Sequence, residues 1–175
     1  LWDGGSLQGR SILLSAEQGL GDTLHFVRFA ALLREQGANP IVYCQPPLLA
    51  LLQNNPQLGA IYPNNLELDR PVDVQCSLLD VADILGISAS NVPANVPYLT
   101  PAASLCNYWQ RRFPKPTGSF RIGLAWQGNP DHQADAFRSI PLSYFEPLAS
   151  VSGDAAEGIE LLSLQTGFGA EQIAN

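Results

Sequence analysis

The order of apolar runs along this chain predicts an α/β protein: a Rossmann-like parallel sheet with helices on both faces, plus the start of a second, truncated Rossmann-like domain. Three observations carry that expectation. Strand-length apolar runs alternate with segments of helical periodicity from Arg10 to Gly86. The strand-like runs look buried, as strands do in a sheet covered on both faces. The pattern of a strand running into a glycine-bearing turn then starts afresh at Phe120.

The first strand is read in RSILLSA, Arg10 to Ala16, followed by the turn EQGLGD and by the helical segment TLHFVRFAALLREQG, which Gly37 stops. Apolar residues cover most of that helix, so it should pack against the sheet, with His25 and Arg28 as polar interruptions. NPIVYCQ is a second strand, PPLLALLQNN a short helix opened by prolines, and GAIYP a third strand. VDVQCSLLDVADILG reads as a strand continuing into a helix closed by Gly86. The proline-bearing stretch from Ile87 to Pro101 is a surface connection, and Pro101 to Phe113 resumes a helix. After PKPTGS come a strand FRIGLAWQGN, a polar loop, a helix PLSYFEPLASV and a strand IELLSLQ. A domain boundary is therefore expected near Lys115 to Ser119, giving domains at residues 1–117 and 118–175. The second is too short to close a sheet over its own core.

Composition narrows the function classes. The chain has 175 residues, 46% hydrophobic and 14% charged, which is ordinary globular material. No apolar run approaches the roughly 18 residues of a membrane span, so no transmembrane segment is expected. Nine basic residues against sixteen acidic ones, a net charge of −7, cannot build the basic face that broad nucleic-acid capture needs. Three cysteines without a CxxC pair suggest neither a disulfide framework nor a zinc site, and fit a reducing cytoplasm. The chain begins without methionine and contains none, so it is expected to be a piece of a longer protein.

Ligands of open parallel sheets bind beyond the carboxyl ends of the strands, which directs attention to the two glycine turns. A dinucleotide site fits the first turn poorly: Gly19 and Gly21 supply two glycines of GxGxxG, but Leu24 stands at the third, and the second strand ends at Cys44-Gln45 without a ribose-binding acid. No GK[ST] follows, so a P-loop is excluded.

The combination of AEQGLGDTLHFVRFAALL with RIGLAWQGN and RSIPLSYF further on resembles the heptosyltransferase-like members of glycosyltransferase family 9, in the version found at the carboxyl end of bacterial tetratricopeptide-repeat proteins. The resemblance covers essentially the whole chain and rests most on Gly21-Asp22 and on Arg138-Ser139-Ile140-Pro141. It implies a GT-B architecture, with an acceptor-side N-terminal domain and a nucleotide-sugar site mainly in the C-terminal domain. It also implies inversion at the anomeric carbon with no obligatory metal and no cofactor beyond the nucleotide-sugar substrate. The position matching the family's base is Asp22. Those matching its phosphate contacts are Gln127, Gly128, Asn129 and Arg138, where many relatives have lysine, with Ser139 beside them.

The residues themselves leave two roles open for Asp22. It could remove the acceptor hydroxyl proton in a partly dry cleft beside Leu24 and Phe26, or it could be the N-cap of a helix from Thr23 to Gln36. The base role requires the carboxylate to face the phosphate-seeking groups of the second turn; folding inward onto its own backbone would count for the cap and against the transferase. Helical spacing puts His25 and Arg28 on one stripe with Asp22. His25 either touches the acceptor or Asp22, or is a structural histidine, and Arg28 either pairs with Glu17 or snorkels. Gln18, Gly19 and Gly21 complete the acceptor-side candidates. Arg138 offers a fork of donors suited to a diphosphate, helped by N–H groups around Gln127 to Asn129. Asp131, His132 and Asp135 could be argued into a metal site, but their loose loop spacing favours a solvated loop. Trp109 and Trp126 are expected in the core. The resulting expectation is an inverting glycosyltransferase acting on a carbohydrate, lipid-linked or protein acceptor. The alternative is a non-catalytic sugar- or protein-binding module within a tetratricopeptide-repeat protein.

Overall fold

In a computed structural model, residues 1–17, 19–114, 118, 120–150 and 158–174 are described. The chain divides into two compact units, Leu1–Tyr108 and Trp109–Asn175. The division falls inside a helix, ahead of the proline and glycine stretch where the boundary was expected.

In the first unit, four parallel strands form a sheet: β1 (Ser11–Ser15), β2 (Asn39–Cys44), β3 (Ala60–Pro63) and β4 (Val74–Ser77). Their spatial order is β3-β2-β1-β4. The register aligns Leu14 with Val42 on one side and with Cys76 on the other, so the same-face side chains of three strands meet in one layer. Ile12, Leu14, Val42 and Cys44 are fully buried there. Helices α1 (Leu20–Phe26), α2 (Arg28–Glu35), α3 (Leu49–Gln53) and α4 (Asp80–Ile84) flank the sheet; Phe29, Ala30, Leu33, Leu52 and Val81 from these helices, with Val27 from the break between α1 and α2, join one core. The architecture is a mixed α/β layer compatible with a Rossmann-like fold, as the alternating pattern predicts.

Two features depart from the expectation. The helix expected from Thr23 to Gln36 starts earlier, at Leu20, and breaks into two at Val27. There the chain tightens to an Ala30 N–H bond on the Val27 carbonyl, and the Arg28 Nε donates to the His25 carbonyl at 2.8 Å. The connection from Ile87 to Pro101 is a surface segment, yet it is pinned to the core near its carboxyl end. Buried Asn55 accepts from the Thr100 N–H (2.7 Å) and donates to the Leu51 and Thr100 carbonyls, while the Tyr98 hydroxyl donates to the Leu24 carbonyl (2.9 Å).

The second unit holds α5 (Ala103–Arg112) from Trp109 onward, β5 (Phe120–Leu124), α6 (Glu146–Ser150) and β6 (Ile159–Ser163). β5 and β6 pair in parallel, Gly123 opposite Leu162. Trp126 is buried as expected, but Trp109 is exposed and stacks on Phe113, with ring centroids 5.7 Å apart. None of the α5 side chains is buried, which is why an apolar helical pattern there did not translate into core. Among the described residues no helix is long and apolar enough to cross a membrane.

Candidate functional site

The strand order of the first unit singles out one end of one strand. The chain runs from β1 outward through β2 to β3 and then returns to the other side of β1 with β4, so the crossovers diverge beside the carboxyl end of β1. Crevices at such reversals are where open α/β sheets bind ligands. Both neighbours hold this end: Ala16 N–H bonds the Tyr43 carbonyl and Leu78 N–H the Ser15 carbonyl, each at 2.9 Å. The glycine turn begins there.

Gly19, extended at φ −66° and ψ 167°, is the N-cap of α1, and Asp22 is the third helical residue rather than the cap. The Asp22 Oδ2 accepts the Gly19 N–H at 3.0 Å. This is one half of a capping box; Gly19 has no side chain to return the bond. The carboxylate is exposed, so the partly dry cleft expected from Leu24 and Phe26 is absent around it; those two side chains turn toward the core instead. Among the described residues Oδ1 accepts no hydrogen bond. Thr23, buried beneath the turn, donates to Gln45 Oε1 at 2.9 Å, tying the start of α1 to the end of β2. Sequence reading weighed Gln45 only as a missing acid; its length and its place one residue past β2 were the available signal.

His25 is exposed, and its ring packs on Phe26 at 5.1 Å rather than on Asp22. Arg28 neither pairs with Glu17 nor snorkels. Its guanidinium lies 4.3 Å from the Tyr98 ring centroid and donates to the Tyr98 hydroxyl, the Pro93 carbonyl and the His25 carbonyl. The expected stripe of Asp22, His25 and Arg28 is thus not one cluster: the break at Val27 and the Tyr98 contact draw Arg28 to the surface connection. Gly21 is exposed with open space where a Cβ would stand. Gln18 lies outside the described residues.

In the second unit the candidates gather beyond the carboxyl ends of β5 and β6. Two of the three backbone donors expected to meet a diphosphate, those of Gln127 and Gly128, are occupied. Trp126 N–H and Gln127 N–H both donate to Gln165 Oε1 (2.9 and 3.0 Å), and Gly128 N–H donates to the Ser139 hydroxyl at 3.0 Å. The Gln127 side chain accepts from Gln172 at 3.1 Å. Gln165, which sequence reading passed over, also donates to the Gln127 and Phe168 carbonyls, so one amide knits the turn after β5 to the turn after β6. The motif SLQTGFG, a strand ending in glutamine before a glycine turn, carried that signal. Gly169, at φ +85°, passes so close that a Cβ there would lie 2.8 Å from the Gln127 side chain, and its carbonyl accepts the Trp126 indole N–H.

Arg138 is the group left open. Its Nε donates to Asp135 Oδ1 at 3.1 Å and one terminal nitrogen reaches the Asn129 carbonyl, while the other makes no hydrogen bond among the described residues. The Ser139 hydroxyl donates to the same Asp135 oxygen at 2.8 Å, so both its proton and a lone pair are engaged within the turn. Asn129 accepts the Asp131 N–H, and His132 Nδ1 the Ala134 N–H. Asp131, His132 and Asp135 therefore do not converge, and among the described residues no three His, Cys, Asp or Glu groups are placed to hold a metal.

No family model, curated protein or solved structure matches this chain.

Proposed function

We infer that this chain is part of a heptosyltransferase-like inverting glycosyltransferase, moving a sugar from a nucleotide-sugar to an acceptor hydroxyl. The observation that carries the reading is the position of the Gly19–Asp22 turn at the strand reversal of the β3-β2-β1-β4 sheet. That is a ligand-binding end of the fold, and the turn offers an exposed carboxylate there. Asp22 Oδ2 is held by the Gly19 N–H, which orients the group, and Oδ1 is the oxygen that would take the acceptor proton as the hydroxyl attacks. The second unit supplies the complementary chemistry. It repeats a parallel strand pair with a turn at its carboxyl end, and the open guanidinium edge of Arg138 suits the two oxygens of a departing diphosphate. A domain with its acceptor site in the first unit and the opening of a nucleotide-sugar site in the second is the arrangement this reading takes.

The bond between Asp22 and Gly19 also favours a second reading. A carboxylate folded onto its own backbone is doing what a helix cap does, and a non-catalytic sugar- or protein-binding module would keep it for that reason alone. One substitution separates the two. In Asp22→Asn the amide oxygen still accepts the Gly19 N–H, so the cap survives while the base is lost. The full protein is assayed against a panel of nucleotide sugars for transfer and hydrolysis. Transfer by the parent that Asp22→Asn abolishes, with donor affinity unchanged and melting lowered less than by Asp22→Ala, supports the transferase. Donor binding without turnover in the parent rejects it in favour of the binding module.

A further inference from the structure

We propose that Asp135 is a positioning residue: it fixes Arg138 by its Nε and holds the Ser139 proton, so that the outer edge of the guanidinium is presented to a diphosphate. The inference rests on the nucleotide-sugar reading of the second unit. Four observations converge on it. A single oxygen, Asp135 Oδ1, accepts from both Arg138 Nε (3.1 Å) and Ser139 Oγ (2.8 Å). The Asp135 side chain is 13% exposed whereas that of Arg138 is 47% exposed, so the negative half of the pair is shielded and the positive half faces solvent. Ser139 passes the constraint on, because its oxygen accepts the Gly128 N–H and locks the turn after β5 to the same carboxylate. Gly128 leaves room for this: a Cβ there would stand 2.7 Å from an Arg138 terminal nitrogen and 2.9 Å from Asp135 Oδ1.

Arg121 shows what a purely structural arginine of this unit looks like. It places Nε and a terminal nitrogen on Glu160 and both terminal nitrogens on the Phe113 and Pro114 carbonyls, leaving no free edge. Arg138 is held through Nε and by one long terminal contact, to the Asn129 carbonyl at 3.4 Å, which leaves its other terminal nitrogen without a hydrogen bond among the described residues. With Nε engaged and one terminal proton on the Asn129 carbonyl, each terminal nitrogen still carries a proton for a ligand, and a pair of such donors suits two phosphate oxygens. Holding that fork in advance removes rotamer freedom that would otherwise be lost on binding. Asp135 then contributes to affinity without touching the ligand.

The test titrates the full protein with a nucleoside diphosphate and, separately, with inorganic pyrophosphate, for the parent and for Asp135→Ala, Asp135→Asn, Arg138→Ala and the Asp135→Ala/Arg138→Ala pair. Binding of the nucleoside form alone means the base is recognised too; binding of both means the diphosphate suffices. Asp135→Ala is expected to weaken binding about tenfold, within the range of coupling between neighbours in one network, and the double variant to bind no worse than Arg138→Ala alone. Asp135→Asn, which keeps an acceptor, should lie between parent and Asp135→Ala. The Arg138 Nε–H resonance gives a readout that a merely structural role would not move: a separate, slowly exchanging signal in the parent, lost in Asp135→Ala while melting stays near that of the parent. Tighter binding in Asp135→Ala would overturn the proposal by showing that the carboxylate occludes the site. Unchanged affinity in Asp135→Ala, with Arg138→Ala impaired, would overturn it while leaving the nucleotide-sugar reading intact. No diphosphate binding by the parent would instead remove that reading, and the positioning role with it.

Discussion

The Asp22 carboxylate accepts the backbone N–H of Gly19, three residues before it, at 3.0 Å. The contact makes Asp22 a stabilising residue whatever else it does, because it satisfies one of the free N–H groups at the start of α1 and places a negative charge near the positive end of the helix. Asp22→Ala should therefore lower stability by about 1 kcal/mol. Asp22→Asn keeps the acceptor and loses only the charge, so it should lower the melting temperature less than Asp22→Ala and, if Asp22 is the base, reduce turnover by about 10²–10⁴-fold. Thermal melts and transfer assays of the two variants side by side resolve cap from base.

A second consequence concerns the connection from Ile87 to Pro101. Asn55 is 1% exposed and its amide is matched on both sides by the backbone of Thr100. Asn55→Leu strands the Thr100 N–H and carbonyl without their partners, so it should destabilise the first unit by about 1–3 kcal/mol despite adding apolar bulk. Urea denaturation measures the loss, and faster amide exchange near Thr100 than in β1 would place it.

Tyr98 and Arg28 hold the same connection to α1 and α2. Tyr98→Phe keeps the ring under the guanidinium but removes the hydroxyl that bonds the Leu24 carbonyl and Arg28; a loss of about 0.5–1.5 kcal/mol follows. Arg28→Lys should cost more than its charge suggests, since an ammonium cannot both stack on the ring and reach the Pro93 and His25 carbonyls. Denaturation midpoints of the two variants check the order.

The strands were legible as short runs between turn signals, although they are not buried on both faces as expected: β1 alternates buried Ile12 and Leu14 with half-buried Ser11, Leu13 and Ser15. Every expected strand is present within a residue or two at either end, except that the run FRIGLAWQGN leaves the strand after Leu124. The turns were legible as places but not as chemistry. Nothing local to Gln127 shows that its N–H is taken by Gln165, and nothing local to Arg28 shows that Tyr98 will lie beneath its guanidinium, because such bonds join residues far apart in the chain. Asp135 was visible only as one of three loose acidic and imidazole groups. Its partners three and four residues on, Arg138 and Ser139, become meaningful once a 3₁₀ turn at Asp135–Phe137 brings them back onto it.

Acid stability of the first unit should carry the signature of Asp73. Its carboxylate accepts both the N–H and the hydroxyl of Ser11, each at 2.7 Å, and those bonds, led by the hydroxyl, hold its pKa below the usual carboxylate range. A folded-state value below the unfolded one stabilises the fold above the unfolded pKa, and the gain is lost as pH falls through the folded value. The parent should thus exceed Asp73→Asn in urea midpoint at neutral pH, and the two curves should draw together below about pH 4 as the carboxyl becomes neutral like the amide. A gap that stays constant down to pH 2 would assign the difference to shape rather than charge.

Gly128 offers the sharpest separation of stability from binding. The three atoms nearest a methyl group added there all belong to side chains: the Arg138 terminal nitrogen at 2.7 Å, its guanidinium carbon at 2.9 Å and the Asp135 carboxylate oxygen at 2.9 Å. An exposed guanidinium can swing away at little cost and the Asp135 carboxylate needs to give by only a few tenths of an ångström, so Gly128→Ala should melt only slightly below the parent. The swing nevertheless removes the donor fork from its place, and diphosphate affinity should fall about as far as in Arg138→Ala. Gly169→Ala is the control. At φ +85°, with the Gln127 side chain 2.8 Å from the new methyl and the Trp126 indole nitrogen 3.1 Å away, it strains backbone and packing together and should cost about 1–3 kcal/mol. Melting curves and diphosphate titrations of the two alanine variants should therefore part company: binding lost with the fold kept at Gly128, fold weakened at Gly169. Equal loss of stability at both would mean that Arg138 is fixed too firmly to move, and that the turn after β5 is a structural element before it is a ligand site.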